Sequence, residues 1–445
     1  MSWNTILQSL SNGDVEKPRI VLPFDLGYLS TASRREFLMD LFLSSSGTVV
    51  LTVFFGLLLF LFRYFIDDDE EHHRYVEDME QKQLEKKWER HNAKWGTAEK
   101  APKLIQRNPT GPLPNTSEKI IATEPLPTKV DIIGDIKSAT TIVLTYHDIA
   151  MNSRWTFSRL MHCMNSAGML RGTVAIVQVN APGHEDGAKP IAGPSVDKLI
   201  EKSVNALNIE ALAQQLHTIV EDLGLCNPPD ENSKYSRKFL GFGVGGGANV
   251  LLRYASNMAD GDTGAFNKKV AGLILVNPSV SLPSRSEAFA LGLVRWVMTW
   301  PLRSLSGSCE RMARIHYSTR ALSSRSLPRA FARQYRNAVE WENRQWFIDA
   351  YRCRDAIDDD RLKKLKGVPI MCFSASESEG IEFIDNAFAQ HATDDMVFSL
   401  MQDHGHPRVS HIRIRGCGNQ LCEERAEELL QPMRNFAAGV HMTFG

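Results

Sequence analysis

The chain has 445 residues, which allows one globular core of about 250 to 300 residues together with further segments. Its 51 Lys and Arg residues nearly balance its 52 Asp and Glu residues. The formal net charge of −1 therefore excludes a protein that binds nucleic acid through an overall positive charge. The seven cysteines are scattered without a CxxC spacing and predict reduced thiols, in a globular part that does not face an oxidising lumen.

The N-terminal region contains one strongly apolar segment. Residues 1–40 mix Pro, Gly and short apolar pieces, which predicts an irregular arm. Residues 41–62 carry no charge, and at a rise of 1.5 Å per residue they are long enough to cross a hydrocarbon core of ~30 Å. A buried core helix or a signal peptide fits less well, because the segment lies far from the globular sequence and follows a 40-residue arm. We therefore predict a single transmembrane helix within residues 41–66. Arginines flank both ends, so the orientation stays open.

Two polar segments follow the apolar one. An acidic run at 67–71 opens a highly charged stretch to residue 95, which predicts a protruding helical stalk. Residues 96–135 contain six prolines and few aliphatic residues, which predicts an extended linker. On this basis the globular domain is expected to occupy residues 136–445.

From Lys137 onward, short β-rich runs alternate with helical patterns. The predicted strands are 141–145, 173–179, 239–242, 271–276 and 368–373, and the predicted helices lie near 157–164, 206–223 and 248–256. This order predicts an α/β fold with a mostly parallel sheet and helices on both faces. A helical insertion at about 279–365 is predicted to form a cap over the C-terminal edge of the sheet.

The sequence G-V-G-G-G at 243–247 lies between a predicted strand and a predicted helix. This is the context of a nucleophile elbow, the strained turn that presents the catalytic serine of α/β-hydrolases. Here Gly245 stands at the serine position. Because glycine has no side chain, it can neither attack a carbonyl nor hydrogen-bond a histidine. A glycine-rich turn with tight helix packing would account for this pattern taken alone.

Several phrases in order along the chain resemble the N-myc downstream-regulated (NDRG) family. They are LTYHD at 144–148, VNAPGHEDGA at 179–188, GFGVGGGA at 241–248, LRYA at 252–255, GLILVN at 272–277 and YRCRD at 351–355. The resemblance runs from about residue 135 to the C-terminus and leaves the first third of the chain unmatched. It implies an α/β-hydrolase-like fold in a family regarded as lacking hydrolase activity.

Comparison with hydrolases also places the other two triad positions. The acid position falls at Ser376, after the strand near 369–373, and the histidine position falls at Asn419. Glu377 and Glu379 lie one and three residues beyond Ser376, so the acid position stays open. Neither residue suits its role, since serine cannot hold an imidazolium and Asn419 is no general base. A degenerate triad at Gly245, Ser376 and Asn419 is therefore predicted. An esterase or lipase with a relocated nucleophile, such as Ser153 or Ser374, remains the alternative.

Histidines occur at two positions that invite a chemical role. His147 and Asp148 lie where hydrolases carry the oxyanion-hole loop, but adjacent side chains point in opposite directions and do not easily form a dyad. A structural role for His147 is favoured. His404 and His406 lack a third ligand at a recognisable spacing, so neither a metal nor a cofactor is predicted.

The predicted cap is rich in arginine. Residues 295–336 carry nine arginines, no lysine and one acidic residue. The planar guanidinium suits carboxylates, phosphates and lipid headgroups, whereas a charge run is more commonly a solvated helix face. No nucleic-acid motif accompanies the run. We predict that it binds an anionic partner or surface through Arg311, Arg314, Arg320, Arg325, Arg329, Arg333 and Arg336.

Together these features predict a single-pass, membrane-anchored pseudoenzyme that acts as a protein-interaction or structural module. Its expected contacts are membrane lipids, through residues 41–62, and protein partners. The membrane is expected to be an endomembrane or the mitochondrial inner membrane, with the globular domain in a reducing compartment. An accessory subunit of a large membrane complex is the second possibility.

Overall fold

The computed structural model describes residues 115–124, 126–149, 151–189, 207–228, 237–257, 269–283, 339–376, 393–415 and 417–444, with the single positions 82, 85, 86, 89, 90, 93, 113, 191, 288, 291, 292 and 317. No helix within these residues combines the length and apolar character that a membrane span requires. The predicted arm at 1–40 and membrane helix at 41–66 lie outside the described residues. Six described positions of the predicted stalk are helical and exposed.

The domain is organised around one sheet of eight strands. The strands are β1 (Thr116–Ile121), β2 (Thr128–Ile133), β3 (Thr141–Tyr146), β4 (Val174–Val179), β5 (Phe239–Val244), β6 (Val270–Val276), β7 (Ile370–Ser376) and β8 (Val409–Arg415). Their order in the sheet is β1-β2-β4-β3-β5-β6-β7-β8. The β1–β2 and β2–β4 pairs are antiparallel and all the others are parallel, so most strands end at one edge.

Helices cover both faces of the sheet. They are α1 (Ser153–Ser166), α2 (Ile209–Asp222), α3 (Gly246–Asn257), α4 (Trp341–Arg352), α5 (Asp359–Lys364), α6 (Leu421–Glu424) and α7 (Ala426–Gly439). A first core cluster joins α2, α3 and α4 to one face of the sheet, and a second joins α1 and α7 to the other. Parallel strands buried on both faces consist of nearly continuous apolar residues, which is why the sequence predicted the central strands well.

The predicted linker is wrong over its C-terminal half, because β1 and β2 lie inside residues 96–135 and belong to the sheet. β2 buries Val130, Ile132 and Ile133 and pairs with β4. In the sequence, the prolines that suggested a linker precede β1 or lie between β1 and β2, and none falls within either strand. The domain therefore begins near residue 115 rather than at residue 136.

Candidate functional site

The site lies where β5 passes into α3, at the predicted elbow. Gly245 is the single residue between these elements and has φ +51°, in the left-handed region. Its N–H donates to the carbonyl of Val276 at 2.9 Å. A Cβ on Gly247 would lie 2.7 Å from the carbonyl carbon of Tyr146, so only glycine permits this close approach of α3 to β3. The structure thus places a glycine with positive φ in the strand-to-helix turn where the sequence predicted a nucleophile elbow.

The carboxylate of Asp148 occupies the space that a side chain at position 245 would need. A Cβ built on Gly245 would lie 2.5 Å from Asp148 Cγ, below the 3.0 Å that real Cβ contacts respect. Asp148 Oδ1 accepts hydrogen bonds from the backbone N–H of Ile149 at 2.8 Å and of Gly246 at 2.9 Å. Gly246 opens α3, so the carboxylate also lies at the positive end of the helix dipole. An acidic side chain thus fills the elbow from the loop that follows β3.

The environment of this carboxylate is electrostatically unfavourable despite its hydrogen bonds. Burial raises the pKa of Asp148 from 3.8 to about 6, and the hydrogen bonds from Gly246 and Ile149 only partly oppose this rise. The residue as a whole keeps partial solvent exposure, whereas protein atoms enclose its carboxylate. At neutral pH the ionised form is retained at a cost in folding free energy.

His147 connects the loop that follows β3 with the loop that follows β4. Its Nε2 accepts from the N–H of Ala181 at 2.8 Å, so Nδ1 carries the proton and donates to the carbonyl of Asp148 at 2.7 Å. The ring is buried, and this burial lowers its pKa to about 4. His147 is therefore neutral at pH 7, and its partners are backbone atoms rather than the Asp148 carboxylate. This agrees with the structural role expected for it.

A second histidine, from the loop after β4, and a phenylalanine from the predicted cap cover His147. His184 stacks on His147 with ring centroids 5.4 Å apart, and Phe347 of α4 meets both rings edge-on. Burial lowers the pKa of His184 well below its usual value. Asn343 of α4 donates to the carbonyl of Gly183 at 2.7 Å. The described part of the cap is thus packed tightly onto the loops beside the elbow.

One asparagine, to which sequence reasoning assigned no role, joins the elements that carry the other two predicted triad positions. Asn277 follows β6 with φ +48°, and its Oδ1 accepts from the N–H of Ala375 at 3.3 Å. Its Nδ2 donates to the carbonyl of Asn419 at 3.3 Å. Ser376 is the last residue of β7. Asn277 therefore links the ends of β6 and β7 to the loop that carries Asn419.

The two serines considered as relocated nucleophiles differ in their partners. Ser153 Oγ donates to the backbone carbonyl of Val179, which leaves it without a base. Ser374 Oγ lies 2.8 Å from His411 Nε2. Sequence reasoning could not pair these two residues, because 37 positions separate them along the chain.

Two further predictions concern binding groups. The seven arginines from Arg311 to Arg336 lie outside the described residues. His406 Nε2 lies 2.8 Å from the carbonyl of Leu365, as expected of a structural histidine. Within the described part of the chain, no group of three or more His, Cys, Asp or Glu side chains could hold a metal ion.

The Asp148 carboxylate should make the stability of the folded protein depend on pH. Since its folded pKa is raised, its contribution to the free energy of unfolding is full below pH ~4 and is lost as the pH rises through about 6. Asp148→Asn keeps the acceptor oxygen but removes the charge. Above pH 6, the free energy of unfolding of the variant should therefore be larger than that of the parent by about 1 to 3 kcal/mol. Urea unfolding from pH 4 to 8 measures this difference. A difference that stays flat across this range would refute the argument.

Asp135 provides a control, because its pKa is shifted in the opposite direction to that of Asp148. Hydrogen bonds from the Ser138 hydroxyl and from the N–H of Lys137 lower the pKa of this exposed carboxylate. The Asp135→Asn variant should therefore become less stable relative to the parent as the pH rises, rather than more stable.

Comparison with known proteins supports the assignment of the fold. A profile of the Ndr family matches residues 118–443. Protein NDL1 of Arabidopsis thaliana is 26% identical over 311 residues, covering 67% of this chain and 74% of that protein. Protein NDRG1 of Xenopus tropicalis is 24% identical over 236 residues, covering 52% of this chain and 50% of that protein, so the chain spans half of its length.

Two solved structures share the architecture. A thermophilic esterase from Thermogutta terrifontis has a TM-score of 0.53 at 15% identity, covering 73% of this chain and 100% of the esterase. A bacterial membrane phospholipase A has a TM-score of 0.50 at 15% identity, covering 92% of this chain and 99% of that protein. Identities this low show the α/β-hydrolase fold alone.

Proposed function

We propose that this chain, which belongs to the Ndr family, is a membrane-anchored protein whose hydrolase-like fold acts by binding rather than by hydrolysis. One observation carries this proposal: the Asp148 carboxylate accepts both Gly246 N–H and Ile149 N–H beside a glycine elbow. The fold would then serve as a rigid interaction or structural module.

The chemical argument concerns the oxyanion hole. In α/β-hydrolases it consists of the N–H of the residue after the nucleophile and a second N–H from the loop that follows the third strand. Gly246 and Ile149 occupy these places here, and Asp148 Oδ1 already accepts from both. A tetrahedral intermediate would have to displace a carboxylate that carries the same charge. Loss of a single oxyanion donor slows hydrolases by about 10² to 10³, and here both are engaged.

The membrane location rests on the sequence of residues 41–62, whose 22 uncharged residues suffice for one span. A reducing compartment for the globular domain is supported by the cysteines, because all six that the structure describes are free thiols. An endomembrane and the mitochondrial inner membrane both fit these features, and an accessory subunit of a large complex is one form that the module would take.

The partner surface is proposed to lie on the arginine-rich segment of the cap. Arg311 to Arg336 supply seven guanidinium groups, with no lysine among them, and a guanidinium binds carboxylates and phosphates through two parallel hydrogen bonds. Single exposed ion pairs contribute only about 0 to 1 kcal/mol, so the association is expected to depend on several of them together.

Purification of the full chain in mild detergent tests the proposal. We expect no repeated turnover of a short-chain ester, together with a stable assembly that is larger than the chain itself. Replacing Arg325, Arg329, Arg333 and Arg336 with Gln should loosen the assembly, and ~0.5 M salt should have the same effect on the parent. Sedimentation measures the size of the assembly for the variant and for the parent in salt.

The matched control makes the same change of charge on another surface. It replaces four exposed cations of the described domain with Gln: Lys119, Lys137, Arg154 and Lys363. This variant should keep the assembly intact. Ester turnover well above one equivalent per chain would contradict the binding function, and equal loosening by both variants would contradict the arginine surface.

A further inference from the structure

A serine and a histidine meet on neighbouring strands near one end of the sheet. Ser374 lies in β7 and His411 in β8, and these strands are parallel partners. Ser374 is paired in register with Arg413 and His411 with Cys372, so the four side chains share one face of the sheet. The 2.8 Å separation of Ser374 Oγ from His411 Nε2 is a normal hydrogen bond.

A carboxylate completes the arrangement. Asp394, in the helical stretch 393–398, places Oδ1 3.7 Å from His411 Nδ1, and its Oδ2 forms an ion pair with Arg413 Nη2 at 2.9 Å. Oδ1 is buried and has no hydrogen-bond partner within the described part of the chain. A buried oxygen without a partner costs about 1 to 3 kcal/mol, so a small closure onto the Nδ1–H of His411 is favourable. That contact would leave the Nε2 lone pair facing the Ser374 hydroxyl.

We propose that Ser374, His411 and Asp394 form a nucleophilic centre, separate from the elbow, in which Ser374 is acylated or phosphonylated by small activated electrophiles. In the step, Ser374 Oγ forms a bond to the carbonyl carbon or phosphorus, and the bond to the leaving alkoxide or fluoride breaks. The serine proton passes to His411 Nε2 and then to the leaving group or to solvent. The chain order of serine, aspartate and histidine is also the order found in α/β-hydrolases.

The charges around His411 suit a general base. Burial and Arg413 lower the pKa of His411, whereas Asp394 raises it, and the balance lies below the ordinary value of 6.5. The neighbouring Cys372 thiol has a pKa raised by burial, so it stays protonated. At pH 7 the imidazole is therefore neutral and able to accept a proton.

The burial of Ser374 limits the size of the electrophile that can reach its hydroxyl. Ser374 is completely buried, whereas the side chains of His411 and Asp394 are 14% and 27% exposed. The hydroxyl thus lies one layer beneath the surface, and only a compact reagent is expected to reach it. This distinguishes the centre from an open esterase site.

The test treats the folded full chain with a small fluorophosphonate and locates the adduct by peptide mass spectrometry. We expect one adduct per chain, on Ser374, that disappears when the protein is unfolded in guanidinium before labelling. The labelling rate of the parent should rise with pH through an inflection below 6.5, because neutral His411 is the active form. A folded protein without an adduct at Ser374 would overturn the proposal.

Variants separate a nucleophilic centre from a merely structural hydrogen bond. Ser374→Ala should abolish labelling, His411→Gln should slow it by about 10²-fold or more and remove the inflection, and Asp394→Asn should slow it at least ~10-fold. The matched control Ser153→Ala removes a buried serine that is bonded only to backbone, and should label as the parent does. Labelling at the parent rate in His411→Gln would also overturn the proposal. A single equivalent of adduct is compatible with the proposed binding function, which fails on repeated turnover instead.

Discussion

Replacing Gly245 with serine should destabilise the protein by about 2 to 6 kcal/mol and leave it without esterase turnover. Two effects add: serine at φ +51° is strained by about 1 to 3 kcal/mol, and its Cβ would overlap the Asp148 carboxylate, at about 1 to 3 kcal/mol for overpacking. Activity is not restored, because Asp148 Oδ1 still accepts from both oxyanion donors and no histidine lies at position 419. Urea unfolding and an ester assay measure the two outcomes.

Gly405→Ser is the matched control for this substitution. Gly405 has φ +57°, close to that of Gly245, but a Cβ there would meet nothing within 4 Å. It should therefore show the backbone strain alone, and the difference between the two variants isolates the overlap with Asp148. Equal destabilisation would refute the overlap, and ester turnover by Gly245→Ser above the parent would show that a competent base is already present.

A chain shortened to residues 137–445 should fail to fold, whereas one shortened to 112–445 should fold and remain soluble. The shorter chain loses β1 and β2, and with them the buried side chains of Ile121, Val130, Ile132 and Ile133. Each such side chain contributes about 1.5 to 3 kcal/mol, so the loss of about 6 to 12 kcal/mol is comparable with the whole stability of a domain. It also leaves β4 without its partner on one side.

Circular dichroism and cooperative urea unfolding compare the two shortened chains, and carbonate extraction of cells tests their membrane attachment. The 112–445 chain should appear in the soluble fraction, because residues 41–62 are proposed as the only anchor. Cooperative unfolding of the 137–445 chain would show that β1 and β2 are dispensable. Retention of the 112–445 chain in the carbonate pellet would require a second attachment.

The central strands were predictable because a parallel strand covered on both faces is buried throughout and mostly apolar, as in β3, β4 and β5. β1, β2 and β8 were missed for the opposite reason. β1 exposes five of its six residues, and β2 and β8 mix polar with apolar side chains, so none of them forms a continuous apolar run. In β8 the alternation of His411 and Arg413 with Ile412 and Ile414 was itself a strand signal of period two.

The site was predictable only in part. The strand-turn-helix pattern located Gly245, since that signal is local in sequence. The role of Asp148 could not be predicted, because its hydrogen bond with Gly246 spans 98 positions and depends on the fold that brings β3 beside β5. The pairing of Ser374 with His411 depends in the same way on the register of β7 and β8.

Because Asp148 and a side chain at position 245 compete for the same volume, a serine cannot be gained at position 245 freely by single substitutions. A serine gained first meets the carboxylate, and a residue at 148 small enough to clear the space leaves the amides of Ile149 and Gly246 without their acceptor. Asp148→Asn keeps the acceptor but does not clear the space. Either order passes through a less stable protein. Glycine at position 245 and the carboxylate at position 148 therefore depend on each other, and a stable change at one position requires a matching change at the other.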